Sequence, residues 1–189
     1  VEEISQALRV IRLAGSFGDE VLRERVVLLH CVSSYPTAPE EANLKAILEL
    51  RSRFGLLVGY SDHTLGTLAC LGAAALGACV FEKHFTLIRE GKTFRDHQLS
   101  AEPQELAQLT SDLRTLWAML GPGGKMAMAS EQANRLSMRR SLAARVEIKA
   151  GQAISAESLT CLRPGTGLPP SARAQVIGRI AAANIPAGH

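Results

Sequence analysis

Hydrophobic positions along the first two thirds of the chain alternate between continuous apolar runs and segments with helical spacing. Three continuous runs predict strands, at residues 26–31, 56–60 and 78–81. The first of these runs is as expected for a strand buried on both faces. Segments with a helical repeat lie before, between and after these runs, at residues 3–14, 39–54, 65–76 and 103–120. A strand, a crossover helix and a second strand make a βαβ unit, so the pattern predicts an α/β fold with a parallel sheet.

The pattern changes after residue 120. Residues 121–136 begin with Gly-Pro-Gly-Gly and are interpreted as a linker. From Ser137 onward, short apolar runs alternate with glycine and proline, which predicts a small β-rich domain over residues 137–189. A domain of this size is close to the lower limit for folding alone.

The second and third apolar runs each end in a polar cluster that contains a histidine, His63 and His84 respectively. The carboxyl ends of neighbouring parallel strands meet at one edge of a sheet, about 4.8 Å apart, which brings two imidazoles within reach of one metal ion. The alternative is that each histidine is a hydrogen-bonded structural residue. Glu82 lies two residues before His84 and therefore points to the same side of the strand. It is either a site carboxylate or the partner of Lys83 or of a base on a neighbouring strand.

Composition argues against several classes of function. The 189 residues carry a net charge of +3 that is spread along the chain, and only 4% are aromatic, so no nucleic-acid partner and no membrane-surface binding are expected. The longest apolar stretch, residues 65–81, contains three glycines and is interpreted as a helix followed by a strand rather than a membrane span. Val1 leads directly into two glutamates, so no secretory signal is expected.

Four cysteines occur without any CxxC pair, at Cys31, Cys70, Cys79 and Cys161. They lie mostly in apolar runs, which predicts reduced cysteines in the core. Because disulfides are rare in reducing compartments, this cysteine usage predicts a cytoplasmic protein.

Three motifs and the tail carry a resemblance to a known family. The motifs occur in the order LLHCVSSYPT, GYSDHTLG and FEKHFT, and they resemble the sialic acid synthase family, which includes N-acetylneuraminate, legionaminate, pseudaminate and spore-coat-polysaccharide synthases. The tail RRSLAARVEIKAGQAISAESLTCLRPGTGLPP resembles the antifreeze-like (SAF) domain of those enzymes. The resemblance implies an α/β chain in which residues 1–120 form the last helix-plus-three units of a TIM (β/α)8 barrel, its C-terminal half. A slightly truncated SAF domain of the β-clip type follows.

The resemblance also implies a reaction. The family condenses phosphoenolpyruvate with N-acetylmannosamine or a related aldose, releases phosphate and forms a nine-carbon 2-keto sugar acid for surface carbohydrates. The divalent metal ion it needs, Mn²⁺ or Mg²⁺, polarises the aldose carbonyl as a Lewis acid. The family's first half barrel supplies a catalytic glutamate and several phosphoenolpyruvate ligands, and it is absent here. The full-length form is expected to be a domain-swapped homodimer.

Carried over by motif, the site residues have these implied roles. His63 and His84 are the metal ligands, Glu82 is an active-site carboxylate close to metal and sugar, and Ser61 binds phosphate. Asp62 orients His63, or alternatively caps the N-terminus of the following helix.

Four further positions match substrate-binding residues of the family: Ser33, Tyr35, Asp96 and Arg163. Asp96 matches a carboxylate that binds sugar hydroxyls, and Arg163 matches the SAF residue that reaches the partner subunit's sugar site. The alternatives are a turn aromatic for Tyr35 and a surface arginine before a proline turn for Arg163. Lys92, Arg95 and His97 are interpreted as solvated loop charges.

Two other classes of function stay open. In one, the chain is a non-catalytic fragment whose SAF domain is a sugar-binding or structural module. A half barrel leaves unpaired strand edges and uncovered apolar surface, so we expect the chain alone to be inactive, or to pair with a second copy or with the missing half. In the other, the chain is a different metal-dependent aldolase or phosphoenolpyruvate-using barrel, which leaves the SAF-like tail unexplained.

Overall fold

The computed structural model describes residues 1–189, except for the side chain of Ala133. The chain divides into two units, Val1–Gly123 and Gly124–His189. The helices of the first unit are α1 (Glu2–Gly15), α2 (Asp19–Arg25), α3 (Ala46–Phe54), α4 (Leu68–Ala75), α5 (Arg95–Leu99) and α6 (Pro103–Leu120). Its strands are β1 (Val27–Cys31), β2 (Leu57–Asp62) and β3 (Phe81–Lys83). No helix of the described residues is long and apolar enough to span a membrane.

The three strands form a parallel sheet in the order β1-β2-β3, as the alternation of runs and helices predicts. The central strand β2 packs its Val58 and Tyr60 side chains into the main core. Helices α3, α4 and α6 supply the other side of this core, including the buried side chains of Ile47, Cys70 and Leu109. The sheet thus has one face packed against helices, which fixes the positions of the strand ends.

A glycine in β2 allows the three strands to approach closely. A Cβ atom added at Gly59 would lie 2.5 Å from Leu29 Cδ2 on β1 and 2.5 Å from the Val80 carbonyl oxygen beside β3. Any side chain at this position would therefore separate strands on both sides of β2. Gly59 belongs to the run whose end carries the polar cluster, so it fixes the spacing of the sheet just before that cluster.

The prediction that the first strand, β1, is buried on both faces is wrong. Exposed apolar side chains on the second face of the sheet lie between 36% and 51% accessible, namely Val27, Leu29, Leu57 and Val80. Only β2 is buried along nearly its whole length. A continuous apolar run places apolar side chains on both faces of its strand, and both faces then favour burial. Helices of the described chain cover one face of this sheet.

Other elements differ from the predicted boundaries. The helix predicted over 39–54 is interrupted, because Pro39–Glu41 forms a 3-10 turn and Asn43 has a φ of 40° before α3 begins. The third strand begins at Phe81 rather than residue 78, although Cys79 N already donates to the Val58 carbonyl at 2.9 Å. Helices α2 and α5 are short and charged, so the apolar pattern did not indicate them.

The second unit is small and partly β-structured. Helix α7 (Gln132–Met138) precedes two antiparallel strands, β4 (Ser141–Ala144) and β5 (Leu159–Leu162), and a short helix α8 (Arg173–Val176) follows them. The unit has its own core, formed by Ala144, Ile148, Ile154, Leu159 and Ala181. Helix α7 begins inside the segment interpreted as a linker, and its residues have no sustained apolar repeat.

All four cysteines are free, as predicted. The prediction that they lie in the core holds only for Cys70, which is fully buried on α4. Cys31 and Cys79 are exposed and Cys161 is partly exposed. The two exposed thiols flank strands of the incompletely covered sheet, where an apolar run does not guarantee burial.

Candidate active site

The ends of β2 and β3 bring together four residues that the sequence indicates. In the parallel register, Ser61 pairs with Glu82, and one step of alternation further along each strand is a histidine. His63 and His84 therefore lie side by side, with ring centroids 5.3 Å apart. These four residues and Lys83 line a cavity of about 260 Å³ at the carboxyl edge of the sheet.

A larger cavity of about 540 Å³ lies nearby but contains no titratable side chain. It is lined mainly by apolar residues of two segments, Pro36–Leu44 and Thr64–Gly72. Chemistry needs groups that hold or move protons, or that bind a metal. The smaller, polar cavity is therefore the candidate active site.

His63 is held by the backbone of the loop that follows β1. Its Nδ1 lies 2.9 Å from the carbonyl oxygen of Val32 and 3.7 Å from Cys31 Sγ, and the residue is only 5% exposed. A carbonyl oxygen accepts but does not donate, so Nδ1 carries a proton, and in the neutral imidazole Nε2 presents the lone pair. This is the tautomer that a metal-binding histidine adopts when its other nitrogen is fixed by a carbonyl.

Asp62 does not orient His63 by a direct hydrogen bond, contrary to the sequence-based expectation. Its Oδ2 accepts a hydrogen bond from Lys83 Nζ at 2.8 Å, and its Oδ1 accepts from both the amide and the hydroxyl of Thr64 at 2.9 and 2.8 Å. It does not cap the following helix either, because the N-cap of α4 is Thr67. Asp62 and His63 are adjacent on the strand and so point to opposite faces of the sheet.

The alternative ion pair between Glu82 and Lys83 is wrong for the same reason. Lys83 pairs with Asp62 across the strands, with side chains only 4% and 0% exposed. Glu82 instead accepts a hydrogen bond from the Ser61 hydroxyl, with Oγ and Oε1 2.6 Å apart. The register of β2 and β3 places Asp62 opposite Lys83, and this register identifies the pair. The sequence of either strand taken alone does not show it.

A neutral thiol completes the buried network behind the site. Cys70 Sγ lies 3.3 Å from Asp62 Oδ2 and donates to it. Burial, reinforced by the charge of Asp62, raises the pKa of the Cys70 thiol to about 12. Burial likewise raises the pKa of the Tyr60 hydroxyl. Both groups therefore stay protonated at neutral pH, and Lys83 is the cation that balances Asp62.

Tyr35 packs against both histidines. Its ring centroid lies 4.2 Å from that of His63 and 5.8 Å, edge-on, from that of His84. The guanidinium of Arg95 lies 5.1 Å from the centroid of the same ring, which is cation–π distance. Tyr35 thus forms a wall of the site, and Arg95, interpreted from sequence as a solvated charge, connects α5 to that wall.

Asp96 lies next to Arg95 at the start of α5. Among the described residues, its Oδ1 has no hydrogen-bond partner, and Arg95 Nε lies 3.6 Å away, within ion-pair distance. The loop before α5 is fixed by Arg89, which binds the Ser100 carbonyl and the Glu105 carboxylate.

The remaining two predicted residues are exposed. Ser33 lies in the loop after β1, two residues beyond the strand. Arg163 belongs to the second unit, where it follows β5 and its Nε donates to the Met138 carbonyl at 2.9 Å. Its role as a sugar ligand stays a prediction.

The donor set suits a divalent metal ion. Among the described residues, no group of three or more His, Cys, Asp or Glu side chains is placed to hold a metal. Two imidazoles with the tautomer of His63 fixed by Val32 leave the other coordination positions to water and substrate oxygens, as in catalytic centres. His63 and His84 are thus the residues that could hold such an ion.

Comparisons with known proteins agree along the chain. The NeuB family model matches residues 1–125, and the SAF domain model matches residues 139–189. The N,N'-diacetyllegionaminic acid synthase of Campylobacter jejuni is 43% identical over 182 residues, which is 96% of this chain and 53% of that enzyme.

Solved structures give the same relationship. The N-acetylneuraminic acid (sialic acid) synthetase of Leptospira borgpetersenii is 44% identical, with a TM-score of 0.53 over 57% of this chain and 38% of that one. A spore coat polysaccharide biosynthesis protein E of Chromobacterium violaceum is 29% identical, with a TM-score of 0.61 over 85% of this chain and 49% of that one. The chain spans about half the length of the curated relatives it matches. With an α/β first unit matched by the family model, the chain belongs to the NeuB family and carries a SAF domain.

Proposed function

We propose that the chain carries the metal- and sugar-binding part of a sialic acid synthase-type active site. In the complete enzyme, this site condenses phosphoenolpyruvate with N-acetylmannosamine or a related N-acetylated aldose, for surface carbohydrate biosynthesis. The observation that carries the proposal is the pairing of His63 and His84, 5.3 Å apart, beside Glu82. The relatives' names support the reaction class, since they are legionaminic, pseudaminic and sialic acid synthases.

His63 and His84 would hold Mn²⁺ or Mg²⁺ through neutral imidazole nitrogens. When bound, the ion supplies Lewis acidity at the aldose carbonyl, where negative charge develops. The Val32 carbonyl keeps the proton of His63 on Nδ1, so Nε2 is available without any proton having to leave. Tyr35 packs against both rings.

Glu82 and Ser61 supply the polar groups next to the histidines. The Glu82 carboxylate accepts the Ser61 hydroxyl at 2.6 Å, and it is exposed toward the cavity. A carboxylate in this place accepts a sugar hydroxyl or takes up a proton from it, while the serine hydroxyl can turn to donate to a phosphate oxygen. Asp96 Oδ1, which lacks a partner among the described residues, is suited to accept hydrogen bonds from aldose hydroxyls.

We infer further that residues 1–120 are the C-terminal half of a TIM barrel, joined through a linker over 121–136 to a SAF domain over 137–189. The exposed apolar side chains on the second sheet face support this, because the interior of a barrel buries that face. The length of the relatives supports it too. In the full-length homodimer, Arg163 would reach the sugar site of the partner subunit, as a guanidinium suited to a carbonyl or carboxylate.

The second candidate function, a non-catalytic fragment, is favoured by the same uncovered face. We propose that the chain alone is inactive. Purified chain supplied with phosphoenolpyruvate, N-acetylmannosamine and Mn²⁺ should release no phosphate above background. Turnover at a rate comparable to that of the C. jejuni synthase would show that residues 1–189 suffice for the reaction and would refute the proposal.

Metal binding tests the site itself. We expect isothermal calorimetry to detect one Mn²⁺ per chain, and no binding by the His63→Ala/His84→Ala variant. His189→Ala is the matched control, since it removes an exposed histidine of the second unit and should bind as the parent does. Binding that survives in the double variant would refute the assignment of the two ligands.

A further inference from the structure

A buried ion pair lies directly behind the candidate metal site, on the opposite face of the sheet. Asp62 and Lys83 occupy the last paired position of β2 and β3. We propose that these two are positioning residues that hold His63 and His84 at the spacing needed to share one metal ion. The inference rests on the proposed metal site, but it concerns how the chain sets the distance between the two strand ends.

The geometry of the bonds supports this role. Lys83 Nζ donates to Asp62 Oδ2 at 2.8 Å and to the Thr64 carbonyl at 2.9 Å, so it binds the residues on both sides of His63. Lys83 itself directly precedes His84. One ammonium group on β3, just before the second histidine, therefore binds the Asp62 carboxylate before the first histidine and the Thr64 carbonyl after it.

The backbone ladder cannot supply the same constraint. Strand β3 has only three residues, and its pairing with β2 ends at Lys83. Beyond that point the carbonyl of His84 accepts from Ala101 N at 2.7 Å, which links His84 to the segment that leads into α6. The bonds of Lys83 to Asp62 and to the Thr64 carbonyl join the two strand ends directly beside the histidines.

Burial of the pair is also hard to explain by stability alone. Side chains that are 0% and 4% exposed lose most of their hydration, and apolar replacements of such pairs are often neutral or stabilising. A pair kept for geometry makes a different prediction from one kept for stability. Neutral replacement of both partners should preserve the fold and still weaken metal binding.

The test compares three variants of the full chain. Asp62→Asn/Lys83→Met removes both charges and the bond from Lys83 to the Thr64 carbonyl, and it leaves no unpaired buried charge. Lys83→Arg keeps the charge and the donors. Arg89→Met/Glu105→Gln is the matched control, because it removes another ion pair at 2.8 Å from the same unit, located at the start of α6.

Mn²⁺ affinity is measured by calorimetry, and folding by the thermal midpoint from circular dichroism. We expect Asp62→Asn/Lys83→Met to fold with a midpoint close to that of the parent and to bind Mn²⁺ at least tenfold more weakly. Lys83→Arg should bind within threefold of the parent, and the control within twofold. Parent-like affinity in the neutral double variant, or a tenfold loss in a folded Lys83→Arg, would overturn the proposal. If the neutral variant does not fold, Lys83→Arg still decides.

A readout without metal separates this inference from the proposed function. In the parent, nuclear Overhauser contacts are expected between the His63 and His84 rings and between the His63 and Tyr35 rings, whose centroids lie 5.3 and 4.2 Å apart. The neutral double variant should lose the first contact and keep the second, which is set by the loop after β1. A parent that shows both contacts but binds no Mn²⁺ would refute the metal site, while loss or retention of the first contact still decides the positioning role.

Discussion

Replacing only one partner of the Asp62–Lys83 pair should be far more damaging than replacing both. Lys83→Met leaves the Asp62 carboxylate, which is 0% exposed, without its cation. The remaining donors to Asp62 are the Thr64 amide and hydroxyl and the Cys70 thiol, none of which is charged. An uncompensated buried charge is among the most destabilising changes in a protein core.

The distance in the structure sets the scale. Opposite unit charges 2.8 Å apart attract by about 6 kcal/mol at an effective dielectric constant of about 20. Much of this attraction is offset by lost hydration, and single replacements in buried pairs typically cost about 3–5 kcal/mol. We therefore expect Lys83→Met to lower the free energy of unfolding of the first unit by about 4 kcal/mol, and Asp62→Asn/Lys83→Met to change it by less than about 1 kcal/mol.

Urea denaturation followed by tryptophan fluorescence measures this difference. Trp117 is the single tryptophan of the chain and lies on α6, so its emission reports on the first unit. The analysis compares the parent, the two single variants and the double variant at one pH. A Lys83→Met variant that loses less than about 1 kcal/mol would show that water reaches Asp62, and the argument from burial would fail.

Two further predictions use the same protein. In the native chain, a disulfide-exchange reagent at pH 8 should label the exposed Cys31 and Cys79 rapidly and leave Cys70 unmodified. Cys70 is protected because burial raises the pKa of its thiol to about 12. Peptide mapping that finds Cys70 labelled before unfolding would contradict this. The Arg89 guanidinium lowers the pKa of Glu105 from its ordinary value of 4.5, so their interaction should add stability above that pH and lose it as pH falls through the lowered pKa. Arg89→Met should therefore cost at most about 1 kcal/mol at pH 7, since both groups are partly exposed, and nothing at pH 2; a difference that grows in acid would reverse the sign and refute the assignment.

The parallel order of the strands could be predicted because two sequence signals agree. Continuous apolar runs separated by helical segments admit few topologies, and the crossover helix α4 ends at Ala75, two residues before Gly77, whose φ of 100° favours glycine. The boundaries were less predictable. Asn43 adopts a left-handed conformation that no local pattern required, and β3 is shorter and later than its apolar run because its pairing with β2 starts only at Phe81.

The sequence could predict which residues meet at the strand ends, but not the hydrogen bonds that hold them there. His63, His84, Glu82 and Ser61 fall together because alternation places them on one face of neighbouring strands. The motif implied that Asp62 orients His63, whereas neighbouring residues at the end of a strand point to opposite faces. The Val32 carbonyl that fixes His63 could not be predicted, since any backbone oxygen near the end of β1 has the same sequence signature.

Register links these observations. A shift of β3 by one residue relative to β2 would exchange the faces of its side chains, so that Lys83 would replace Glu82 and His84 on the face that carries His63. An ammonium group there would repel a metal ion and would leave Asp62 buried without a cation. The pairing of Asp62 with Lys83 therefore penalises the wrong register and the wrong spacing together. The same two strands that present neutral imidazoles on one face use opposite charges on the other face to keep those imidazoles in place.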